Sequence, residues 1–113
     1  RRFGTRGTAY LPSPKRKETP SDFKVQGDGK PVLASSIGRC FRFVGCQKEI
    51  LIRRLDRSGK ADRRFGSRGR ASLVTGVSSE AESLTLTRKG IVVGGFATTA
   101  AGGDQMLLAR LKR

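Results

Sequence analysis

A chain of 113 residues allows one domain, and its 35% apolar residues together with 15 glycines bring it near the range of ordinary globular proteins. No apolar run approaches the roughly 20 residues that a membrane-spanning helix needs, and no apolar leader typical of a signal peptide stands at the start. The formal net charge is +15 and histidine is absent, which removes the commonest general base and the commonest metal ligand.

Two nearly identical heptapeptides divide the chain. Residues 1–7 are Arg-Arg-Phe-Gly-Thr-Arg-Gly, and residues 63–69 differ from them only by serine in place of threonine. Self-similarity of this kind indicates a repeat architecture. We therefore predict two copies of one unit, residues 1–62 and residues 63–113. In each copy we expect a buried aromatic anchor followed by a glycine whose backbone a Cβ would strain. These anchors are Phe3, Gly4, Phe65 and Gly66.

The first copy contains four short segments with a strand pattern. The segment around Phe23 and Val25 alternates apolar and polar residues with period two, which is typical of a half-buried strand. Asp28 and Gly29 then favour a tight hairpin turn of the primed type. Prolines and charges predict a loop in residues 12–20. The predicted strands are 8–11, 22–26, 31–34 and 49–55; residues 35–48 are expected to be irregular, although Phe41 and Phe43 alternate as they would in an extended hairpin.

The second copy repeats this order with shorter loops. Leu84 and Leu86 follow Phe23 and Val25 by 61 positions. The predicted strands are 70–74, 82–87, 91–96 and 105–111, and the continuous apolar run 91–96 predicts a strand covered on both faces. No segment shows a helical period. We predict an all-β fold of two four-stranded antiparallel blade-like repeats, as in a β-propeller; the alternative is an eight-stranded β-sandwich.

The two cysteines, Cys40 and Cys46, are separated by five residues. This spacing fits neither a redox C-x-x-C motif nor a zinc pair, and no further cysteine or histidine could complete a metal site. The pair either forms a disulfide that closes a small loop or remains as free thiols, and an oxidising compartment would favour the disulfide. No motif places a nucleophile beside a base, so we predict no catalytic, metal-binding or cofactor-binding residue and no enzyme activity.

The basic residues carry the one functional expectation that the residues themselves provide. In a four-stranded meander, the turn between the second and third strands lies at the same end as the link to the next copy. One end should therefore be strongly cationic and bind polyanions such as nucleic acid, anionic polysaccharide or a phosphate-rich membrane. Its candidate residues are Arg57, Lys60, Arg63, Arg64, Arg68, Arg88 and Lys89, with Lys30, Arg1, Arg2 and Arg6 in equivalent positions. The competing interpretation is an Arg-rich coding bias spread over a solvated surface.

Three stretches together resemble the delta-60 repeat of bacterial β-propeller-like proteins. Residues 26–35 resemble the family's turn and strand "QPDGKIVVAG", residues 104–111 its strand "DFALARLN", and residues 58–69 its link "DGSLDxxFGxxG". The second copy departs from the pattern, because Arg88 and Lys89 replace the Asp-Gly turn. The resemblance implies a non-catalytic binding or scaffold module, secreted or at the cell surface, without a cofactor.

Longer members of that family typically have enough repeats to close a ring, and two are too few. We therefore expect either a piece of a longer propeller or self-association with further copies. The chain begins with Arg1 rather than Met. On that ground we also expect a processed chain, a fragment or an incomplete reading frame.

Overall fold

The computed structural model describes residues 3–11, 17–42, 45–73 and 77–113, apart from the side chains of Arg39 and Phe41. This part of the chain contains strands and no helix, so the predicted all-β class is confirmed. The strands are β1 (Glu18–Val25), β2 (Pro31–Phe41), β3 (Gly45–Arg54), β4 (Arg70–Leu73), β5 (Ser78–Leu86), β6 (Ile91–Thr98) and β7 (Asp104–Leu111). They form two open antiparallel sheets, ordered β1-β2-β3-β4 and β5-β6-β7.

The strands are not shared equally between the two sheets. β4 belongs to the second copy by sequence, yet it pairs with β3 of the first copy, with Arg70 opposite Arg53 and Leu73 opposite Ile50. The second sheet consequently has three strands in the described chain. Residues 8–11, the counterpart of β4, pair with none of the described strands and form only an isolated bridge from Thr8 to Thr5. In the described chain the sheets have four and three strands, so neither two sheets of four strands nor the eight strands of the alternative sandwich are confirmed.

The two sheets nevertheless repeat one design. A register shift interrupts the β1–β2 pair between Pro20 and Asp22, and the β5–β6 pair shifts between Ala81 and Ser83, 61 positions later. A slip of one residue would turn every following side chain to the opposite face of the sheet. Equivalent residues of the two copies therefore point the same way. Because β1 is an edge strand, it can begin at Glu18 and include Pro20 within the predicted loop.

Glycine in the left-handed region closes the hairpin between β1 and β2. The Gly29 amide donates to the carbonyl of Gln26 over 2.9 Å, and the Gln26 amide donates to that of Lys30 over 3.0 Å. Gly29 has a φ of +87°, while Gly27 and Asp28 do not have positive φ. The turn is therefore a three-residue type I loop with its glycine at the left-handed position, and the predicted primed turn is wrong.

Within the segment predicted as irregular, residues 35–41 and 45–48 instead continue the ladder between β2 and β3. Cys40 lies directly opposite Cys46, and Phe41 opposite Gly45. The alternation that includes Phe41 had indicated an extended hairpin, and at Phe41 the strand is present. Phe43, the other residue of that alternation, lies outside the described residues. Direct opposition in antiparallel strands brings the Cβ atoms within about 5 Å, and the two cysteines are joined as a disulfide.

One apolar core lies between the sheets. The inner face of the first sheet supplies Val32, Ala34, Ile50 and Ile52, and the second sheet packs onto it with Leu84, Ile91 and Val93. Each valine, leucine or isoleucine side chain among them contributes about 1.5–3 kcal/mol when it is fully buried. β6 was predicted to be covered on both faces, but only one of its faces is buried, since Phe96 on the other is 45% exposed.

The link between the sheets is held by Phe65. Its ring is only 3% exposed, lies in the core between the sheets, and has the Arg54 guanidinium 5.0 Å from its centroid. Gly66 has a φ of +54°, and a Cβ on it would collide with the carbonyl oxygen of Arg70. Gly4 repeats this conformation with a φ of +58°, whereas Phe3 is half-buried because no preceding sheet covers it in the described chain.

Replacement of Phe65 by alanine should therefore lower the free energy of unfolding by about 3–5 kcal/mol, because a cavity is left in the core. Phe3→Ala should cost less, and Tyr10→Ala, which truncates an exposed ring, should cost little. Urea denaturation followed by circular dichroism measures all three variants. A midpoint for Phe65→Ala equal to that of Tyr10→Ala would contradict the role of Phe65 as an anchor.

Candidate interaction surfaces

The structure gathers the predicted basic turns at one end. Arg57 Nε donates to the carbonyl of Asp28 over 2.6 Å, which joins the link after β3 to the β1–β2 turn. β5 crosses the first sheet and advances in the direction of β1, because Ala81 N donates to Oγ of Ser36, the partner of Thr19 in β1, and Leu84 N donates to Asp22 Oδ2, each over 2.9 Å. The turn between β5 and β6 therefore lies at this same end.

Most candidate cations at this end point into solvent. The exposed residues are Arg57, Lys60, Arg63, Arg64, Arg68, Arg88 and Lys89. Arg63 and Arg68 line one shallow cavity of about 420 Å³, and Lys60 and Arg68 line another of about 460 Å³. Arg6 is also exposed, while Arg1 and Arg2 lie outside the described residues. We call the seven exposed residues the cationic end.

Lys30 has a different role from the one predicted for it, because it belongs to a buried ion group. Asp62 Oδ2 lies 2.8 Å from Arg54 Nε and 3.1 Å from Lys30 Nζ, and the Asp62 side chain is 7% exposed. Asp62 Oδ1 also accepts from the Arg64 amide over 3.1 Å. The group ties the link before Phe65 to β3 and to the start of β2.

Burial and hydrogen bonding act in opposite directions on Asp62. Burial by itself would raise its pKa, but the Arg64 N–H and the cations of Lys30 and Arg54 outweigh that effect and hold the pKa below its ordinary value. This ion group was not predicted from the sequence. The available signal was the aspartate three residues before Phe65, which also stands in the link sequence quoted above for the delta-60 repeat.

A second ion pair lies on the outer face of the first sheet, on the side away from the core. Arg53 Nη2 lies 2.8 Å from Glu18 Oε1, and Ser35 Oγ donates to Glu18 Oε2 over 2.6 Å. Burial would raise the pKa of Glu18, but the hydrogen bonds from Arg53 and Ser35 and the charge of Arg53 lower it below its ordinary value. This pair fastens the edge strand β1 to the centre of its sheet.

Each sheet also exposes an apolar outer face. On the first sheet an open groove of about 470 Å³ is lined mainly by aliphatic and aromatic side chains, among them Phe23, Val25, Leu33 and Leu55; we call this the groove face. On the second sheet Met106 is 89% exposed and Leu108 is 79% exposed. With Val92 and Phe96, which the pairing of β6 and β7 places on the same side, they form the knob face.

Within the described residues, no cluster of acidic or cysteine side chains is arranged as metal ligands would be. The same part of the chain contains no helix with the length and apolarity needed to cross a membrane. Comparison of the chain with models of protein families, with curated proteins and with solved structures gives no match.

The low pKa of Asp62 predicts a defined acid sensitivity. A carboxylate whose pKa is lower in the folded than in the unfolded state stabilises the fold above its unfolded value of about 4, and loses that contribution as the pH falls through the folded value. Asp62→Asn should lower stability at neutral pH by about 3 kcal/mol, because it leaves buried cations without a counter-charge. It should also reduce the loss of stability below about pH 4.

Urea denaturation at neutral and at acid pH measures both effects. Asp28→Asn is the matched control, since it removes one exposed carboxylate from the same end. An Asp62→Asn variant with the stability and pH dependence of the Asp28 variant would show that the buried ion group does not stabilise the fold.

Proposed function

We propose that this chain is a non-catalytic binding or scaffold module of the β-propeller type, built of two blade-like repeats that associate with further copies of the same unit. The observation that supports this proposal is the pair of outer faces. Soluble monomers rarely expose contiguous apolar surface, and large apolar patches typically mark interaction sites. Here each sheet has one buried apolar face and one exposed apolar face.

The resemblance to delta-60 repeats supports the same proposal, since members of that family repeat one unit many times. The disulfide between Cys40 and Cys46 favours an oxidising compartment, in agreement with a secreted or cell-surface location. In this proposal the module works through contact surfaces and uses no cofactor.

A second candidate function is polyanion binding by the cationic end. The contact from Arg57 to the Asp28 carbonyl favours it, because it brings two sets of basic turns to one end rather than scattering them. Asp62 and Asp56 reduce the charge there only in part. Asp62 is buried against its cations, and Asp56 Oδ1 accepts from the Ser58 and Lys60 amides. The exposed guanidinium and ammonium groups remain accessible to phosphate or sulfate.

The scaffold proposal predicts that the chain is larger than its 12.2 kDa monomer in solution. Light scattering coupled to size exclusion, over a wide concentration range, should give a molar mass that rises with concentration. Because each copy carries a charge of +15, added salt should screen the repulsion between copies and strengthen association. A monomer at every concentration and salt level would overturn the proposal.

The polyanion proposal predicts the opposite effect of salt. Changing Arg57, Arg63, Arg64 and Arg68 to serine should weaken heparin binding. The slope of the logarithm of the binding constant against the logarithm of the salt concentration should become shallower by about one for each phosphate or sulfate that the variant no longer binds. The matched control changes Lys17, Arg39, Arg42 and Lys48 to serine, since these residues lie towards the other end of the first sheet. Equal weakening by both sets would assign the binding to net charge rather than to the cationic end.

A further inference from the structure

The groove face is the exposed counterpart of surfaces that are buried elsewhere in the same molecule. Phe23 and Val25 correspond to Leu84 and Leu86 in the second sheet, which lie in or against the core between the sheets. The lining residues Phe3, Ala9, Leu11, Pro31, Leu33 and Leu55 correspond in the same way to Phe65, Ala71, Leu73, Ile91, Val93 and Leu111, all of them in or against that core. The groove face is therefore one half of an interface between two sheets, which we call the joint. The molecule already contains one complete joint, in the core between its own two sheets.

The knob face is the other half of that joint. In the first sheet, Ala34 lies opposite Ile52 and Ser36 opposite Ile50, and this face covers the second sheet. In the second sheet, the corresponding pairs are Gly94 with Leu108 and Phe96 with Met106. The register is the same in both sheets. Met106 and Leu108 thus stand where Ile50 and Ile52 stand, with nothing in the described chain to cover them.

Residues 8–11 are also left without a partner strand in the described chain. The turn before β4 and the turn before residues 8–11 have the same backbone: φ is +55° at Arg68 and +53° at Arg6, followed by +87° at Gly69 and +85° at Gly7. β4 leaves its turn and pairs with β3, but residues 8–11 leave theirs and join neither of the described sheets. At the other end of the molecule, β7 is an edge strand, and its unpaired backbone groups can accept another strand.

We propose that a second copy of this chain docks head to tail, with the knob face of one copy in the groove face of the next. In the same contact, residues 8–11 of the second molecule add antiparallel to β7 of the first molecule. This proposal rests on the self-association proposed above and specifies the surfaces that carry it. The internal register transfers directly, because Arg70 opposite Arg53 becomes Thr8 opposite Ala109, and Leu73 opposite Ile50 becomes Leu11 opposite Met106.

The joint also matches the aromatic contact at the internal link. Arg110 lies opposite Val92, as Arg54 lies opposite Val32, and Arg54 stacks on Phe65. Arg110 of one copy would accordingly lie over Phe3 of the next. A head-to-tail contact of this kind uses two different surfaces, so it leaves one of each free after every addition, and it yields either closed rings or filaments.

Glutamate substitutions on the knob face test the first half of the proposal. Met106→Glu and Leu108→Glu each place a carboxylate where the joint would bury it, so we expect self-association to weaken by about tenfold or more. Both residues are mostly exposed in the single chain, so the variants should fold, and circular dichroism verifies this. Ala100→Glu is the control, because it adds the same charge at an exposed position in the β6–β7 turn.

Disulfide trapping tests the strand pairing independently. Arg54 N donates to Gly69 O, and hydrogen-bonded and non-hydrogen-bonded pairs alternate along an antiparallel ladder. The next pair, Arg53 with Arg70, is therefore non-hydrogen-bonded, and so is its counterpart, Ala109 with Thr8. Thr8→Cys on one preparation and Ala109→Cys on a second, with a different tag, should form a mixed disulfide dimer after mild oxidation. Gln105→Cys, about 13 Å along the strand, should not.

The outcomes separate the two proposals. A chain that is monomeric throughout overturns both of them. A chain that associates equally well as Met106→Glu, as Leu108→Glu and as Ala100→Glu, and that shows no preference for the Thr8–Ala109 link, keeps the scaffold proposal and overturns this joint. Equal association of the three variants without a preferred Thr8–Ala109 link is also the result expected if the groove binds a small apolar ligand or an unrelated polypeptide.

Discussion

The fold depends on the packing of one sheet against the other. Within the described chain neither sheet has a helix beneath it, so each buries an apolar face only by contact with the other sheet. Val32, Ile50 and Ile52 are fully buried for this reason. An isolated small sheet without such a cover is at best marginally stable. The same constraint explains why the two outer faces matter, since each is an apolar surface of the same kind that the described chain leaves uncovered.

The link between the copies turns this packing into a defined geometry. β4 fixes the second copy to the open edge of the first sheet through backbone pairing, and Phe65 fills the space between the sheets behind it. Asp62 then holds the link to Arg54 and Lys30. Covering a sheet edge removes a site of unwanted pairing. The link therefore serves both as a connection and as the last strand of the sheet that precedes it.

Much of this arrangement could be predicted from the sequence. Period-two alternation located the C-terminal halves of β1 and β5, and the Phe-Gly motif indicated Phe65 as an anchor, whereas the division into two copies at residue 62 stays a prediction. The assignment of β4 to the first sheet could not be predicted, because strand patterns show which residues form strands but not which edge they join. The buried ion group was missed for a related reason. Asp62, Arg54 and Lys30 lie on three segments, and only the folded chain brings them together.

The positive charge and the apolar faces place opposite demands on association. Repulsion between copies of charge +15 acts over a distance of about 10 Å at moderate ionic strength and falls as salt is added. Apolar contact between sheets depends on buried area and is not weakened by screening. Two copies of this chain should therefore meet most readily where counterions are abundant. A polyanion bound along the cationic end would supply such counterions itself, because it neutralises the turns and leaves the groove and knob faces free. Binding at the turns and stacking of the sheets would then favour one another, although they use separate surfaces.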